Sequence, residues 1–171
     1  MRRLTFALLA GALAVGIVAA PASAKQPDPG MNIVKTAIAV NSSGPYAGAF
    51  DTLITLVVKL DLAGALSQRG QLTVFAPTDA AFAELGITAA NADAVIAALG
   101  RDTVRDIVLY HVAKGSRDAS EVLSSSKIRM LNGDFAKVNA SAGTIDGAPI
   151  IVTNVHASNG IIHAVGAVLL P

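Results

Sequence analysis

The sequence has 171 residues, of which 53% are hydrophobic and 15% charged, enough for one domain with a buried core. Its formal net charge of +1 at pH 7 gives no long-range attraction for nucleic acid or anionic lipid, which excludes both as partners. The chain contains no cysteine, so disulfides and a cysteine-linked lipid anchor are excluded, and the core alone must stabilise the fold.

Residues 1–24 have the pattern of an export signal. Arg2 and Arg3 precede an uncharged stretch, and the Ala22-Ser23-Ala24 sequence fits signal peptidase. Because this stretch is richer in Ala and Gly than in Leu and Ile, it favours a cleaved signal over a retained membrane anchor. We therefore predict cleavage after Ala24, a secreted or periplasmic location, and no transmembrane anchor in the mature chain. Residues 25–30, with two prolines and a glycine, form a flexible lead-in.

The next part of the chain predicts two helices and a strand. Asn32 is a suitable N-cap for a helix that runs to about Val40. Apolar residues at helical spacing from Phe50 to Leu60 predict a second helix that ends near Gly64. Residues 72–75 are apolar and β-prone, and Pro77 closes this short strand.

Three more helices follow that strand. Thr78 is a suitable N-cap for residues 79–85, and Asp79 lies favourably at the positive end of that helix. Further helices are predicted over residues 91–99 and 101–111, and Gly100 separates them.

The second half of the chain has the pattern of β-hairpins. Asn132-Gly133, Asp146-Gly147 and Asn159-Gly160 each suit a tight type I′ turn, and each lies between β-prone runs. Residues 161–170 are mostly apolar on both faces, which predicts a central strand that is covered on both sides. Helices followed by hairpins indicate an α+β domain, with the N-terminal helices packed over an antiparallel sheet.

Three segments resemble the motifs of fasciclin-like (FAS1-type) adhesion domains. Thr73–Phe82, with the sequence TVFAPTDAAF, is similar to the first motif of that family. Asn159–Val165, NGIIHAV, is similar to the second, and Leu109–Val112, LYHV, is similar to the central Tyr-His element. The likeness covers residues 31–171, so the chain is interpreted as a single-domain secreted member.

The resemblance implies a fold, a function and a set of motif positions. The fold would be a wedge-shaped β-sandwich with helices on top, and the function would be adhesion or matrix contact without a cofactor. Some family members are thought to bind apolar ligands, and in animal relatives an Asp-Ile pair takes part in receptor binding. Asn154-Val155 occupies the matching positions here, so it is a candidate partner contact without the carboxylate. The motif positions are Thr78, Asp79, Tyr110, His111, Asn159, Gly160 and His163.

Each motif position also has a structural interpretation. Tyr110-His111 lies at the end of a helix that faces the core, so a buried pair bonded to nearby backbone is favoured over a proton-transfer pair. Thr78-Asp79 and Asn159-Gly160 are interpreted first as a helix cap and a turn. Asp102 and Asp106 alternate with two arginines, and an Asp102–Arg105 ion pair on a solvated face is favoured over paired catalytic carboxylates.

A metal site is not predicted, because His111, His156 and His163 lack the spacing of zinc ligands. The sequence also lacks the Gly-x-Ser-x-Gly elbow, the phosphate-binding loop and a catalytic cysteine, so we predict neither an enzyme nor a cofactor. The leading hypothesis is a binding module for a surface or matrix macromolecule. The alternative is a carrier of a small apolar ligand, such as a carotenoid or lipid, because Ala-rich sequences offer small apolar side chains to line a groove.

Overall fold

The computed structural model of the protein describes residues 30–68 and 70–171. The predicted signal peptide and residues 25–29 of the lead-in lie outside the described residues. Within those two ranges, no helix combines the length and the apolar character that crossing a membrane requires.

Five of the helices lie close to the positions that the sequence predicts, whereas α3 (Ala63–Ser67) and α7 (Ala119–Ser124) were not predicted. Asn32 caps the first helix through its side chain, which accepts a hydrogen bond from the Lys35 N–H, and Thr78 caps the fourth in the same way at Ala81. Gly100 separates the fifth helix from the sixth, as predicted. The helices are α1 (Ile33–Ser42), α2 (Asp51–Lys59), α3 (Ala63–Ser67), α4 (Asp79–Glu84), α5 (Ala92–Leu99, preceded by a 3-10 turn, Ala89–Asn91), α6 (Arg101–Tyr110) and α7 (Ala119–Ser124).

The strands form a sheet with the order β2-β1-β7-β6-β5-β4-β3. Consecutive strands from β3 to β7 pair antiparallel, which confirms the predicted series of hairpins. The strands are β1 (Leu72–Pro77), β2 (Val112–Lys114), β3 (Lys127–Arg129), β4 (Phe135–Asn139), β5 (Thr144–Ile145), β6 (Ala148–Ala157) and β7 (Gly160–Val165). The α+β class predicted from the sequence is therefore confirmed.

The pairing of β1 with β7 is parallel, so the expectation of an antiparallel sheet throughout was wrong. The hairpin pattern of the second half contains no signal for this pair, because its two strands are separated by most of the domain. All six residues of β7 are buried, which confirms that it is a central strand. The parallel pair places the two motif segments that resemble fasciclin domains side by side.

The two outermost strands of the sheet order also contact each other. Ala113 on β2 forms an isolated antiparallel bridge with Met130, next to β3, and the Leu131 N–H donates to the Val112 carbonyl at 2.7 Å. The sheet therefore closes on itself along one seam, and its two ends share one apolar cluster. Phe75 and Val165 meet Ile128 and Ile145 in that cluster, an arrangement compatible with the two layers of a sandwich. A second core lies between the helices and the β1–β7 face.

Three details of the predicted elements differ from the structure. The second helix ends at Lys59 and not near Gly64, because Asp61 adopts a left-handed conformation with φ 58° and breaks it. The last strand ends at Val165, since the following segment bends away and the Leu169 N–H bonds to His111. The third difference concerns the hairpin turns.

Among those turns, only Asp146-Gly147 has positive φ at both positions, 49° and 81°, as a type I′ turn requires. Gly133 has positive φ but Asn132 does not. The pairing of Ala157 with Gly160 makes Ser158 and Asn159 the loop residues and places Gly160 inside β7. The type I′ expectation was therefore wrong for Asn132-Gly133 and Asn159-Gly160, although both pairs lie at hairpin turns.

Candidate functional site

His163 lies at the centre of β7 and its side chain is fully buried. Its Nε2 is 2.9 Å from the Arg117 carbonyl oxygen, and its Nδ1 is 3.3 Å from the Asn154 amide nitrogen. Because the carbonyl can only accept and the amide can only donate, Nε2 carries the proton. Burial lowers the pKa of His163, and nearby His156 acts in the same direction. The neutral ring therefore joins β6 to the loop that precedes α7, and it stacks on Phe75 with 5.7 Å between ring centroids.

Asn154, the candidate partner contact, is the second residue of this network. It has a left-handed conformation, φ 59°, at an irregularity in the pairing of β6 with β7. Its side-chain oxygen accepts a hydrogen bond of 2.9 Å from the Ala119 N–H at the start of α7. Val155 pairs with Ile162 and packs partly buried against the larger core. The amide oxygen of Asn154 and the side chain of Val155 therefore make contacts within the domain, and both residues remain partly exposed.

The loop between β2 and α7 is held by Thr73, the first residue of the segment that resembles the first family motif. The Thr73 hydroxyl donates to the Gly115 carbonyl at 2.6 Å and accepts from the Arg117 N–H at 2.9 Å. Together with His163, it fixes the backbone of Arg117 on both sides. Sequence reasoning missed this loop. The signal in the sequence was a polar Thr73 in an otherwise apolar strand, and the structure shows that this residue is fully buried.

Tyr110 and His111 are buried at the end of α6, where the structural interpretation placed them. The Tyr110 hydroxyl donates to the Asp146 carboxylate at 2.6 Å, so it bonds a side chain of the β5–β6 turn. Burial, followed by this bond, raises the pKa of Tyr110. His111 Nδ1 donates to the Ile107 carbonyl at 2.7 Å, and Nε2 accepts from the Leu169 N–H at 2.9 Å. His111 therefore fixes the segment that follows β7.

Burial lowers the pKa of His111 from 6.5 to about 4. In the unfolded chain the ring takes up a proton as the pH falls through 6.5, whereas in the folded protein it does so only near 4. We therefore expect His111 to lower the free energy of unfolding between those pH values, by up to about 3 kcal/mol. Urea unfolding at a series of pH values would measure this loss, and His111→Gln should show a shallower decline. Titration of the His111 ring near 6.5 in the folded protein, followed by NMR, would contradict the expectation.

Two motif residues stabilise neighbouring elements. Asp79 lies in the first turn of α4, and its carboxylate accepts hydrogen bonds from the Asp51 and Thr52 N–H groups at 3.1 and 2.8 Å. It therefore caps α2, a helix distant in the sequence, in addition to its position at the start of α4. Asn159 is buried, and its side chain bonds Ile33, Leu66 and Gln68. This residue anchors α1 and α3 to the β6–β7 turn.

The remaining charged and metal-site candidates are not brought together. Among the described residues, no group of three His, Asp or Glu side chains could hold a metal ion. Asp102 and Arg105 are exposed, but the ion pair expected between them is absent, and in the described ranges the ion pair formed is Lys59–Asp93 at 2.7 Å. Long solvated side chains gain little from such a pair, so its absence costs the fold little.

The structure contains two clefts whose positions the sequence did not indicate. The first is an apolar cavity of about 210 Å³ between α2, α4, α5, α6 and the segment after β7. Leu85, Leu99 and Leu170 line it, and each is about half exposed, at 47%, 50% and 54%. The second is a cleft of about 360 Å³ at the seam of the sheet, lined by Lys114, Arg117 and Arg129.

Comparison with known proteins identifies similar sequences. The family model of the fasciclin domain matches residues 48–171. Protein sll1483 of Synechocystis is 37% identical over 124 residues, which cover 71% of this chain and 67% of that protein. The uncharacterized protein sll1735 of the same organism is 33% identical, over 71% of this chain and 89% of its own length.

More distant similarity extends to animal proteins. Transforming growth factor-beta-induced protein ig-h3 of Sus scrofa is 28% identical over 71% of this chain, which spans 18% of that larger protein. A solved FAS1 domain pair from the insect cell adhesion molecule fasciclin I aligns with a TM-score of 0.43 and 16% identity. That alignment covers 79% of this chain and 44% of the domain pair.

Proposed function

This chain belongs to the fasciclin domain family, and we propose that it is an exported, non-catalytic module that binds a macromolecule at a cell surface or in a matrix. The observation that carries the proposal is the family match over residues 48–171. Members of this family are generally adhesion modules without catalytic activity, and they are typically extracellular. Surface complementarity, and not chemistry, would then account for its activity.

The internal use of the histidines supports a non-catalytic role. Both ring nitrogens of His111 bond backbone groups, and so do both ring nitrogens of His163. A general base must reach the proton that it abstracts, and these two rings are already occupied and buried. Their contribution is to hold α6, β6 and the β2–α7 loop in place.

We propose that the domain begins near residue 31, ahead of the family match. Ile33 is buried in the larger core, and its N–H donates to the Asn159 side chain at 2.7 Å, so α1 is part of the folded unit.

We also propose that residues 1–24 direct export and are then removed. N-terminal sequencing of the protein recovered from its source cells should begin at Lys25, whereas an intact Met1 on cytoplasmic protein would contradict export.

The proposed contact surface is the β6 bulge around Asn154-Val155. Exposed side chains alternate along this strand, and Ile151, Thr153 and His156 are exposed on it, with Ile151 at 51%. The irregular part of a strand and the loops beside it are where binding residues of such scaffolds are concentrated. Asn154 keeps the bulge in position through its bond to α7.

A charged substitution on the β6 bulge tests this surface. Beads coated with the protein should adhere to its source cells, and Thr153→Arg should weaken adhesion about tenfold or more, since an arginine at the centre of an interface interrupts close packing. Thr103→Arg introduces the same side chain at an exposed position of α6, outside the β6 bulge, and should retain adhesion. Equal adhesion of both variants would reject the β6 bulge, and no adhesion by any of the proteins would reject the proposed function.

The apolar cavity favours one alternative function, a carrier of a small apolar ligand such as a carotenoid or lipid. Its half-exposed leucines give a ligand access to a lining that is almost entirely apolar, as such sites require. Native mass spectrometry of the protein from its own source distinguishes the two. A retained apolar molecule that is lost in Leu99→Lys would establish the carrier, and a mass without adduct would favour the binding module.

A further inference from the structure

The seam at which the sheet closes carries three cationic side chains around one cleft. Lys114 ends β2, Arg129 ends β3, and Arg117 lies in the loop before α7. They line a cavity of about 360 Å³ together with Met130, Leu131 and Gly133. The lining of this cleft includes no residue of the β6 bulge and no residue of the apolar cavity.

Two of these cations come from the two strand edges that meet at the seam. The bridge between Ala113 and Met130 is antiparallel, and Lys114 and Arg129 are the residues that adjoin it on the two edges. Both cations line the same cleft, so a bound anion would neutralise two positive charges of the same region.

The carboxylates nearest in sequence are bonded elsewhere. Asp118 accepts from the Glu121 N–H at 2.9 Å and from the Ser120 hydroxyl at 2.6 Å. Asp134 accepts from the Asn132 side chain at 2.8 Å. In the part of the chain that the structure describes, neither Lys114, Arg117 nor Arg129 lies within 4.0 Å of a carboxylate oxygen.

Arg117 has one buried donor without a partner. Its Nε is shielded from solvent and bonds no atom of residues 30–68 and 70–171. An unpaired buried donor costs free energy, and a partner outside the protein, a water molecule or an ion, would remove that cost. The backbone of Arg117 is fixed by Thr73 and His163, so the base of the side chain is preorganised at the rim of the cleft.

We propose that this cleft binds a tetrahedral oxyanion, a phosphate or sulfate ester group. Arginine forks bond such oxygens in pairs, and a lysine adds a compact charge. Three cations suit a group with several charged oxygens, and the cavity also leaves room for the part of the molecule that bears the ester. The inference goes beyond the proposed adhesion function and does not depend on it.

Titration with inorganic phosphate and inorganic sulfate, followed by NMR at constant ionic strength, tests the site. We expect the Arg117 Nε–H resonance and the Leu131 and Gly133 amides to shift together in a saturable manner. Arg117→Gln should weaken binding about tenfold or more, because it removes a charge-assisted, bidentate pair of hydrogen bonds. Arg117→Lys should restore part of the affinity, since it keeps the charge but not the fork.

The matched control is Arg105→Gln, which removes the same charge from an exposed position of α6 and should change the affinity less than about twofold at this ionic strength. Thermal unfolding without ligand shows whether each variant is folded. If Arg117→Gln and Arg105→Gln weakened anion binding equally, the binding would depend on overall charge and not on the cleft, which would overturn the proposal. If acetate bound as tightly as phosphate, the proposal that the site selects tetrahedral oxyanions would be overturned. If phosphate bound and sulfate did not, the ligand class would be phosphate esters.

Discussion

Replacement of Gly160 by alanine is expected to lower the free energy of unfolding by about 4 kcal/mol, a large part of the stability of a typical domain. Gly160 opens β7 and pairs with Leu72 on β1, with φ 154°. An added Cβ would lie 1.9 Å from the Leu72 carbonyl oxygen and 2.7 Å from the Ile33 side chain. Because the first neighbour is backbone, relief requires separation of the central parallel pair.

Gly133→Ala provides the matched control. Gly133 also has positive φ, 107°, but an added Cβ would meet nothing within 4 Å. Its expected cost is the backbone strain alone, about 1–2 kcal/mol. Chemical denaturation of both variants measures the difference. If Gly133→Ala and Gly160→Ala lowered the free energy of unfolding by similar amounts, the β1–β7 pair could separate at little cost. The close approach of the two strands would then not be the reason for glycine at position 160.

Asn159→Ala is expected to lower the free energy of unfolding by about 3–4 kcal/mol, since buried groups lose their partners. The Asn159 oxygen accepts from the Ile33 N–H at 2.7 Å. Its nitrogen donates to the carbonyls of Leu66 and Gln68 at 2.8 and 3.1 Å. Without these bonds the start of α1 and the end of α3 lose their attachment to the β6–β7 turn.

A specific readout separates this local effect from general destabilisation. Hydrogen exchange in Asn159→Ala should accelerate first at the amides of α1, beginning with Ile33, because local opening requires less free energy than global unfolding. Asn139→Ala serves as the control, since the exposed Asn139 side chain accepts one bond, from the Ala142 N–H at 3.2 Å, and its loss should cost less than about 1 kcal/mol. Uniform acceleration across the domain would contradict the anchoring role.

Five helices were predicted well because their signals are local, whereas the short helices α3 and α7 were missed. Asn32 and Thr78 are caps, and Gly100 ends a helix, through interactions that span a few residues. The hairpin order from β3 to β7 was predicted for the same reason. The end of α2 was not, because Asp61 adopts a left-handed conformation that its sequence context did not reveal.

The sequence predicted which residues belong to the candidate sites, but it did not predict their hydrogen-bond partners. The family resemblance selected His163 and Asn154, but the sequence did not indicate that both act on the β2–α7 loop. Asp79 was correctly assigned to the start of α4, yet its carboxylate caps α2. Each missed partner lies far along the chain, so no spacing rule relates the two residues.

The sequence by itself determined the α+β class, the family and the order of the longer elements, since periodicity, caps and motifs depend on neighbouring residues. The short elements α3, β2 and α7 were not predicted. The tertiary structure alone decided that β1 and β7 are parallel and that the edges of the sheet meet at Ala113 and Met130. It also brought Lys114, Arg117 and Arg129 to one cleft. These outcomes depend on bringing distant segments together around a shared core. The free energy of closing those long loops and burying the core is a property of the whole domain and not of any one segment.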